Sequence, residues 1–382
     1  MADVMFAPRR MDLSPAQKLA RLNWLVIGLL TAIAGIGVAM LYSVAGGQME
    51  PWAARHAIRF VPILCVMLAI AVVDIRAWMA LAYPAYFGGL ALLIAVELIG
   101  VTGMGGQRWL DLQVIRLQPS ELMKIALVLA LARYYHGQTR AQTAKLTSLG
   151  VPMLMIALPV LLVMRQPDLG TGLMMAAASM GVIFLAGAPV WLFVSGSVAA
   201  AAAVPVAWKV LLRDYQKDRV LTFLDPSRDP QGAGYQITQS KIALGSGGMS
   251  GKGYLEGTQS HLNFLPEMKT DFIFTVLGEE FGLLGGAVLL VLYMAVLGYG
   301  LFVAVTCRNQ FGRLLAGGLS LTLFLYVFIN IAMVMGLLPV VGVPLPLVSY
   351  GGSAMLTMMT AYGLILSVAL HRQITIPRGA GL

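Results

Sequence analysis

The sequence is short of charge. Lys, Arg, Asp and Glu make up 11% of its 382 residues, less than half of the roughly 25% usual in a soluble domain. Hydrophobic residues make up 59%, so a water-soluble globular fold is excluded and most side chains must face lipid or other buried segments. Cysteine is scarce. Cys65 and Cys307 have no CxxC partner and no His at ligand spacing, which removes a disulfide framework and a zinc site. His56, His136, His261 and His371 show no metal-ligand spacing either. A nucleotide loop is also missing: in Gly247-Gly248-Met249-Ser250-Gly251-Lys252-Gly253, Ser246 replaces the first required glycine and Gly253 the Ser or Thr. The formal charge of +9 is scattered over loops, so nucleic acid is not an expected partner. No cleavable signal peptide is expected, because the first apolar run is too long for one.

Long apolar runs are what the chain does have. A spanning helix needs about 20 such residues, and ten runs qualify: 22–44, 55–73, 77–100, 118–136, 149–165, 169–187, 190–212, 272–305, 314–336 and 350–370. The expected fold is an all-α polytopic membrane protein. It forms one membrane domain over 1–382, with a leader at 1–21, a large loop at 213–271 between spans seven and eight, and a tail at 371–382. Run 272–305 exceeds one crossing and is expected to tilt or to begin outside the hydrocarbon.

Short loops rich in Lys and Arg stay cytoplasmic. With the N-terminus inside, the inner segments hold Arg9, Arg10, Lys18, Arg21, Arg76, Arg133, Arg140, Lys145, Arg308, Arg313, Arg372 and Arg378. Both termini are then cytoplasmic and the 213–271 loop is external. Turn-forming residues at Asp225-Pro226-Ser227-Arg228-Asp229-Pro230-Gln231-Gly232 predict that this loop is folded. Tyr235 to Leu244 is expected as a short interfacial helix.

An ionisable side chain at a span centre costs roughly 2.5–3.5 kcal/mol, so those present need an explanation. Glu121 and Lys124 lie three apart in Gln118-Pro119-Ser120-Glu121-Leu122-Met123-Lys124, on one helix face; they either neutralise each other for insertion or line a cavity. Arg55 and Arg59 open the second span, where interfacial snorkelling accounts for Arg59. Asp168 in Arg165-Gln166-Pro167-Asp168-Leu169-Gly170-Thr171 and Asp271 in Glu267-Met268-Lys269-Thr270-Asp271-Phe272 each suit a helix cap or a site. Yet Arg55, Arg108, Glu121, Lys124, Asp168 and Asp271 all fall toward the outer side. A cavity with several cations suits a pyrophosphate, and a carboxylate among them suits a general base. Glu279 and Glu280 lie two turns deeper, with the choice between them open; Glu97 reads as interfacial. The glycine- and proline-rich 336–353 stretch cannot be one helix, so it is either a structural re-entrant turn or a wall of the site.

At these residues the chain resembles the SEDS family (shape, elongation, division and sporulation) over about residues 20 to 372. The resemblance rests on Gln107-Arg108-Trp109-Leu110-Asp111-Leu112, the Gln-Pro-Ser-Glu…Lys run at 118–124 and Gln-Pro-Asp-Leu-Gly-Thr at 166–171. It continues in the Asp-Pro…Asp-Pro-Gln-Gly-Ala-Gly-Tyr run at 225–235, Thr270-Asp271-Phe272, Gly278-Glu279-Glu280 and Leu338 to Ser353. Gly253 to Glu267 and the short termini favour the elongation-type (RodA-type) branch over the division-type (FtsW-type) branch. Met268-Lys269 departs from the Arg-His or Ala-His common there, so no role carries over to position 269.

The resemblance implies a peptidoglycan glycosyltransferase in the bacterial inner membrane, with its site facing the periplasm. It would polymerise lipid II with inversion at the MurNAc anomeric carbon and release undecaprenyl pyrophosphate. Asp271 matches the family's essential acid, proposed as general base. Arg55, Arg108 and Lys124 match cationic positions suited to the pyrophosphate, and Glu121 and Asp168 would orient them or a bound divalent ion. No organic cofactor is implied. A pyrophosphate leaving group is compatible with Mg or Mn, although the sequence spells no ligand set. Implied partners are membrane lipid, a class B penicillin-binding protein transpeptidase and other elongation-complex proteins. A lipid II flippase is the rival, but it calls for charge reaching both faces and an inverted repeat, and neither is evident. A non-catalytic scaffold would leave Asp271 unexplained.

Overall fold

The computed structural model describes residues 14–103, 106–111, 116–211, 214–230, 232–258 and 267–377. Arg9, Arg10, Arg378, His261 and the rest of 259–266 lie outside the described residues. A short helix α1 (Pro15–Ala20), capped by Ser14, precedes α2 (Trp24–Val44), α3 (Ala53–Val72) and α4 (Ile75–Ile99). Strands β1 (Val101–Gly103), β2 (Gly106–Asp111) and β3 (Arg116–Leu117) lead into α5 (Pro119–His136). The one-turn α6 (Arg140–Thr143) then precedes α7 (Gly150–Arg165), α8 (Leu169–Leu185) and α9 (Val190–Val206). The long loop carries α10 (Asp214–Leu224) and α11 (Ala233–Ser246). Helices α12 (Ile273–Thr306), α13 (Gln310–Val334) and α14 (Gly352–Leu370) follow.

Each of the ten apolar runs is occupied by a helix. Eight are long and apolar enough to cross a membrane. The other two are α8, apolar but only 17 residues long, and α5, which carries Glu121, Lys124 and Arg133. The polytopic helical membrane fold therefore holds, with three local differences. Run 190–212 is α-helical only to Val206 and continues as a π-helical turn, Ala207–Leu211, and α9 buries none of its residues. The expected 235–244 helix is longer, Ala233–Ser246, and packs against the bundle. Ser240 of α11 is buried and bonds Thr275 Oγ1 and the Val334 carbonyl, each at 2.8 Å, which ties α11 to α12 and α13. Lastly, residues 101–103, 106–111 and 116–117 form a small antiparallel sheet of order β1-β2-β3, with Val101 opposite Trp109 and Leu110 opposite Leu117. Strands of two to six residues with glycine and charge among them carry too little apolar alternation to register in a sequence.

The bundle is built around α5. Nearly every residue from Pro119 to Ala132 is buried, as expected of a helix with neighbours on all sides; these are α4, α7, α8, α13 and α14. Without a hydrophobic drive between helices in lipid, close contact depends on small residues. At Gly318 of α13 an added Cβ would stand 2.6 Å from Val182 of α8 and 2.7 Å from Val128 of α5.

At 34 residues, α12 would run about 51 Å if straight, well beyond a hydrocarbon core of about 30 Å. It breaks at Gly282, where φ is +63° and ψ −159°. The break frees the carbonyls of Glu279 and Glu280 and the amides of Leu283 and Leu284. One loop takes all four. The amides of Lys252 and Gly253 donate to the two carbonyls at 3.0 and 3.1 Å, while Leu283 and Leu284 donate to the carbonyls of Gly248 and Met249 at 2.9 and 3.1 Å. The glycine run that failed as a phosphate loop is thus the seat of a broken helix. Gly251, at φ +80°, lies so close to the Glu280 carbonyl that a Cβ would collide with it. Gly251→Ala should therefore destabilise the protein by about 2–6 kcal/mol, adding backbone strain to overpacking. Gly245→Ala, at a position with open space, should leave the apparent melting temperature unchanged or slightly raised; equal melting of the two variants would refute the seat.

Candidate active site

The first turn of α5 begins at Pro119, whose fixed φ suits that position. It carries Glu121, with Lys124 on the same face. Lys124 Nζ donates to Glu121 Oε1 at 2.6 Å, and the two residues are only 2% and 4% exposed. The Tyr326 hydroxyl of α13 closes the group, bonded to Lys124 and to Glu121 Oε2. Lys124 Nζ also lies 4.2 Å from the Tyr326 ring centroid, within cation–π range. The pair is both mutually neutralising and part of a larger polar network.

Asp168 caps α8, with Oδ1 accepting from the Thr171 amide at 3.2 Å. Its Oδ2 accepts from Gln118 Nε2 at 3.3 Å, one residue before α5, and lies 3.9 Å from Arg108. Arg108, on β2, reaches across to the Gln166 carbonyl at 3.1 Å and to the Pro167 carbonyl. The small sheet therefore places a guanidinium over the turn that starts α8. Capping and clustering are both realised at Asp168.

Asp271 ends a tight turn before α12; its amide donates to the Glu267 carbonyl at 3.1 Å. The carboxyl is pushed up to about 7, first by burial and then by Glu267, with Arg219 of α10 opposing and Asp168 adding a smaller upward push. The 336–353 stretch passes beside it: a Cβ on Gly342 would sit 3.4 Å from Asp271 Oδ2. Between α13 and α14 this stretch is irregular and buries Val343, Leu345, Leu347, Val348 and Ser349. Its carbonyls are held by the bundle, Leu347 by His56 Nε2 at 3.0 Å and Pro346 by the Tyr293 hydroxyl. It is a re-entrant segment and also a wall of the Asp271 turn.

Other candidates lie apart. Arg55 is exposed on the rim and pairs with Glu50 at 3.4 Å. Arg59 is exposed with its guanidinium 5.2 Å from the Tyr350 ring centroid. Glu97 pairs at 3.8 Å with Arg165, both partly exposed. Glu279 and Glu280 diverge: Glu279 takes Lys252 at 2.7 Å and Thr258 at 2.9 Å, whereas Glu280 takes the Ser43 hydroxyl of α2. Among the described residues no three His, Cys, Asp or Glu side chains are placed to hold a metal ion. These residues form no cage, and a divalent cation would need phosphate oxygens as further ligands.

Tyr326, Asn330 and Arg219 were not anticipated from sequence. Tyr326 and Asn330 are fully buried polar residues four apart on α13, a spacing that puts both on one face and would have marked them. Arg219 had no such signal, being one of several charged residues in Asp214 to Arg219.

Residues 19–374 match the family model FtsW/RodA/SpoVE, described as cell cycle protein. The chain is 49% identical over 310 residues to the peptidoglycan glycosyltransferase MrdB of Escherichia coli K12, covering 81% of this chain and 83% of that protein. It is 34% identical over 364 residues to a probable peptidoglycan glycosyltransferase FtsW of Trichlorobacter lovleyi, covering 92% and 94%. Among solved structures, a chain from a peptidoglycan synthase complex that coordinates polymerization and crosslinking aligns with a TM-score of 0.81 at 31% identity, covering 92% of this chain and 99% of that one. The rod shape determining protein RodA of Thermus thermophilus aligns with a TM-score of 0.70 at 27% identity, covering 93% and 98%. Fold, motifs and relatives agree: the chain belongs to the FtsW/RodA/SpoVE family, the SEDS proteins, on its RodA-type side.

Proposed function

We propose that this chain is a peptidoglycan glycosyltransferase that polymerises lipid II on the periplasmic face of the inner membrane, with Asp271 as general base. The observation that supports this reading is Asp271 itself, a shielded carboxyl pushed up to about 7 by burial and Glu267, in the turn just before α12. A base with that pKa is half ionised at neutral pH yet still basic enough to accept a proton, the balance that general-base catalysis favours. Asp271 takes the proton of the acceptor GlcNAc 4-hydroxyl as that oxygen attacks C1 of the donor MurNAc from the opposite face, and undecaprenyl pyrophosphate leaves. Arg108 and Arg219 are the cations near the carboxylates, and a preorganised positive field lowers the cost of the developing charge. Lys124 is committed to Glu121 and Tyr326, so it acts through position and field. In the scheme both termini are cytoplasmic and the 213–271 loop is periplasmic. A class B penicillin-binding protein is the expected crosslinking partner, a reading supported by the likeness to a chain of a synthase complex.

The mechanism sets the effect of pH. Protonation removes the base, so polymerisation should fall as pH drops through about 7, and Asp271→Asn should abolish it at every pH while the protein still folds. A variant polymerising at near wild-type rate would refute the base, and wild type that moved lipid II across liposomes without polymerising it would be a flippase. Orientation can be read by thiol labelling in spheroplasts lacking Cys65 and Cys307. A cysteine at Ser227 should react with an impermeant reagent and one at Ala144 should not; equal labelling would overturn the scheme. For the buried pair, Lys124→Ala strands Glu121 and should cost about 3–5 kcal/mol. Combining Glu121→Gln with Lys124→Met should restore melting but not polymerisation. If both recovered, the pair would serve insertion alone.

A further inference from the structure

We propose that Asn330 and Ser349 are positioning residues that hold the Asp271 turn in register for proton abstraction. The proposal rests on the reading of Asp271 as the base. Three successive carbonyls of the turn are each held from outside it. Lys269 O accepts from the Tyr350 amide at 2.8 Å, Thr270 O from the Ser349 hydroxyl, and Asp271 O from Asn330 Nδ2 at 2.8 Å. Ser349 Oγ in turn accepts from the Leu345 amide at 2.8 Å, and Asn330 Nδ2 also donates to the Val343 carbonyl at 2.7 Å. The re-entrant segment and the turn are thereby clamped to each other through one buried amide and one buried hydroxyl.

The orientation of Asn330 is forced, because both partners of Nδ2 are carbonyls and only the NH2 group can donate to them. Its Oδ1 has no hydrogen-bond partner among the described residues, although the residue is fully buried. An orphaned buried acceptor is costly, and leucine would fill a similar volume without it. The two donors are therefore what the fold uses at this position. One turn earlier on the same face, Tyr326 bonds Glu121 and Lys124. A single rigid helix thus sets the buried ion pair and the Asp271 turn relative to each other. The charged groups that face Asp271 are Glu267 of its own turn, Arg219 of α10 and Asp168 at the start of α8; α13 presents none, so Asn330 and Ser349 act through geometry.

The test compares full-length wild type with Asn330→Ala, Asn330→Leu and Ser349→Ala in lipid II polymerisation, with Asp271→Asn as the blank. Displacement of a reacting group by about 1 Å can cost about 100-fold. Each variant should lose about 10- to 100-fold in kcat with KM held within about twofold. The acid limb of its pH profile should also move below the wild-type midpoint, because a loosened turn admits water to the carboxylate. A merely structural role would lower the yield of folded protein without moving the limb. Unchanged kcat and limb, or activity loss that only tracks loss of folded protein in all three variants, overturns the positioning role while leaving the base assignment standing. Wild type that makes no glycan sinks the base assignment, and the positioning role with it.

Discussion

A peptide group inside a bilayer has no water to bond, so any stretch of chain that leaves the helix must find its partners in the rest of the protein. The break at Gly282 and the segment between α13 and α14 obey that constraint, and the candidate site depends on how they do so. At Gly282 the four backbone groups freed from α12 are taken up by 248–253. In the re-entrant segment, carbonyls at Val343, Pro346 and Leu347 are met by Asn330, Tyr293 and His56. The Asp271 turn lies next to the second of these arrangements and is held by the same residues. Rigidity at the site is a by-product of satisfying buried backbone.

The same low-dielectric surroundings govern the charges. Glu121 and Lys124 persist at 4% and 2% exposure because each is the other's counter-ion and Tyr326 closes the group. Removing both charges is tolerable in such a setting, whereas removing one is not. Among the described residues Asp271 has no such close counter-ion. Burial and Glu267 raise it while Arg219 opposes, so it stays protonated to a higher pH than a free aspartate, as the proposed role of a base near neutrality requires. The two acids are thus set apart by their partners.

The sequence by itself determined the membrane class, the placement of the ten helices and the family. These follow from local composition, since about 20 apolar residues spell a span wherever they occur, and the Gln-Pro-Ser-Glu and Thr-Asp-Phe motifs are contiguous. It also marked Asp168, Asp271 and the Glu121–Lys124 pair, because charge stands out against an apolar background. Tertiary structure alone decided the rest. It set Arg55 apart on the rim, brought Arg108 to Asp168 on a sheet too short to read, sent Glu279 and Glu280 to different partners and turned a failed phosphate loop into the seat of a broken helix. Asn330 meets the Asp271 carbonyl across 59 residues of chain and Tyr326 meets Glu121 across 205. Hydropathy is a property of neighbours along the chain, while the partner of a buried donor is set by which distant segment packs against it.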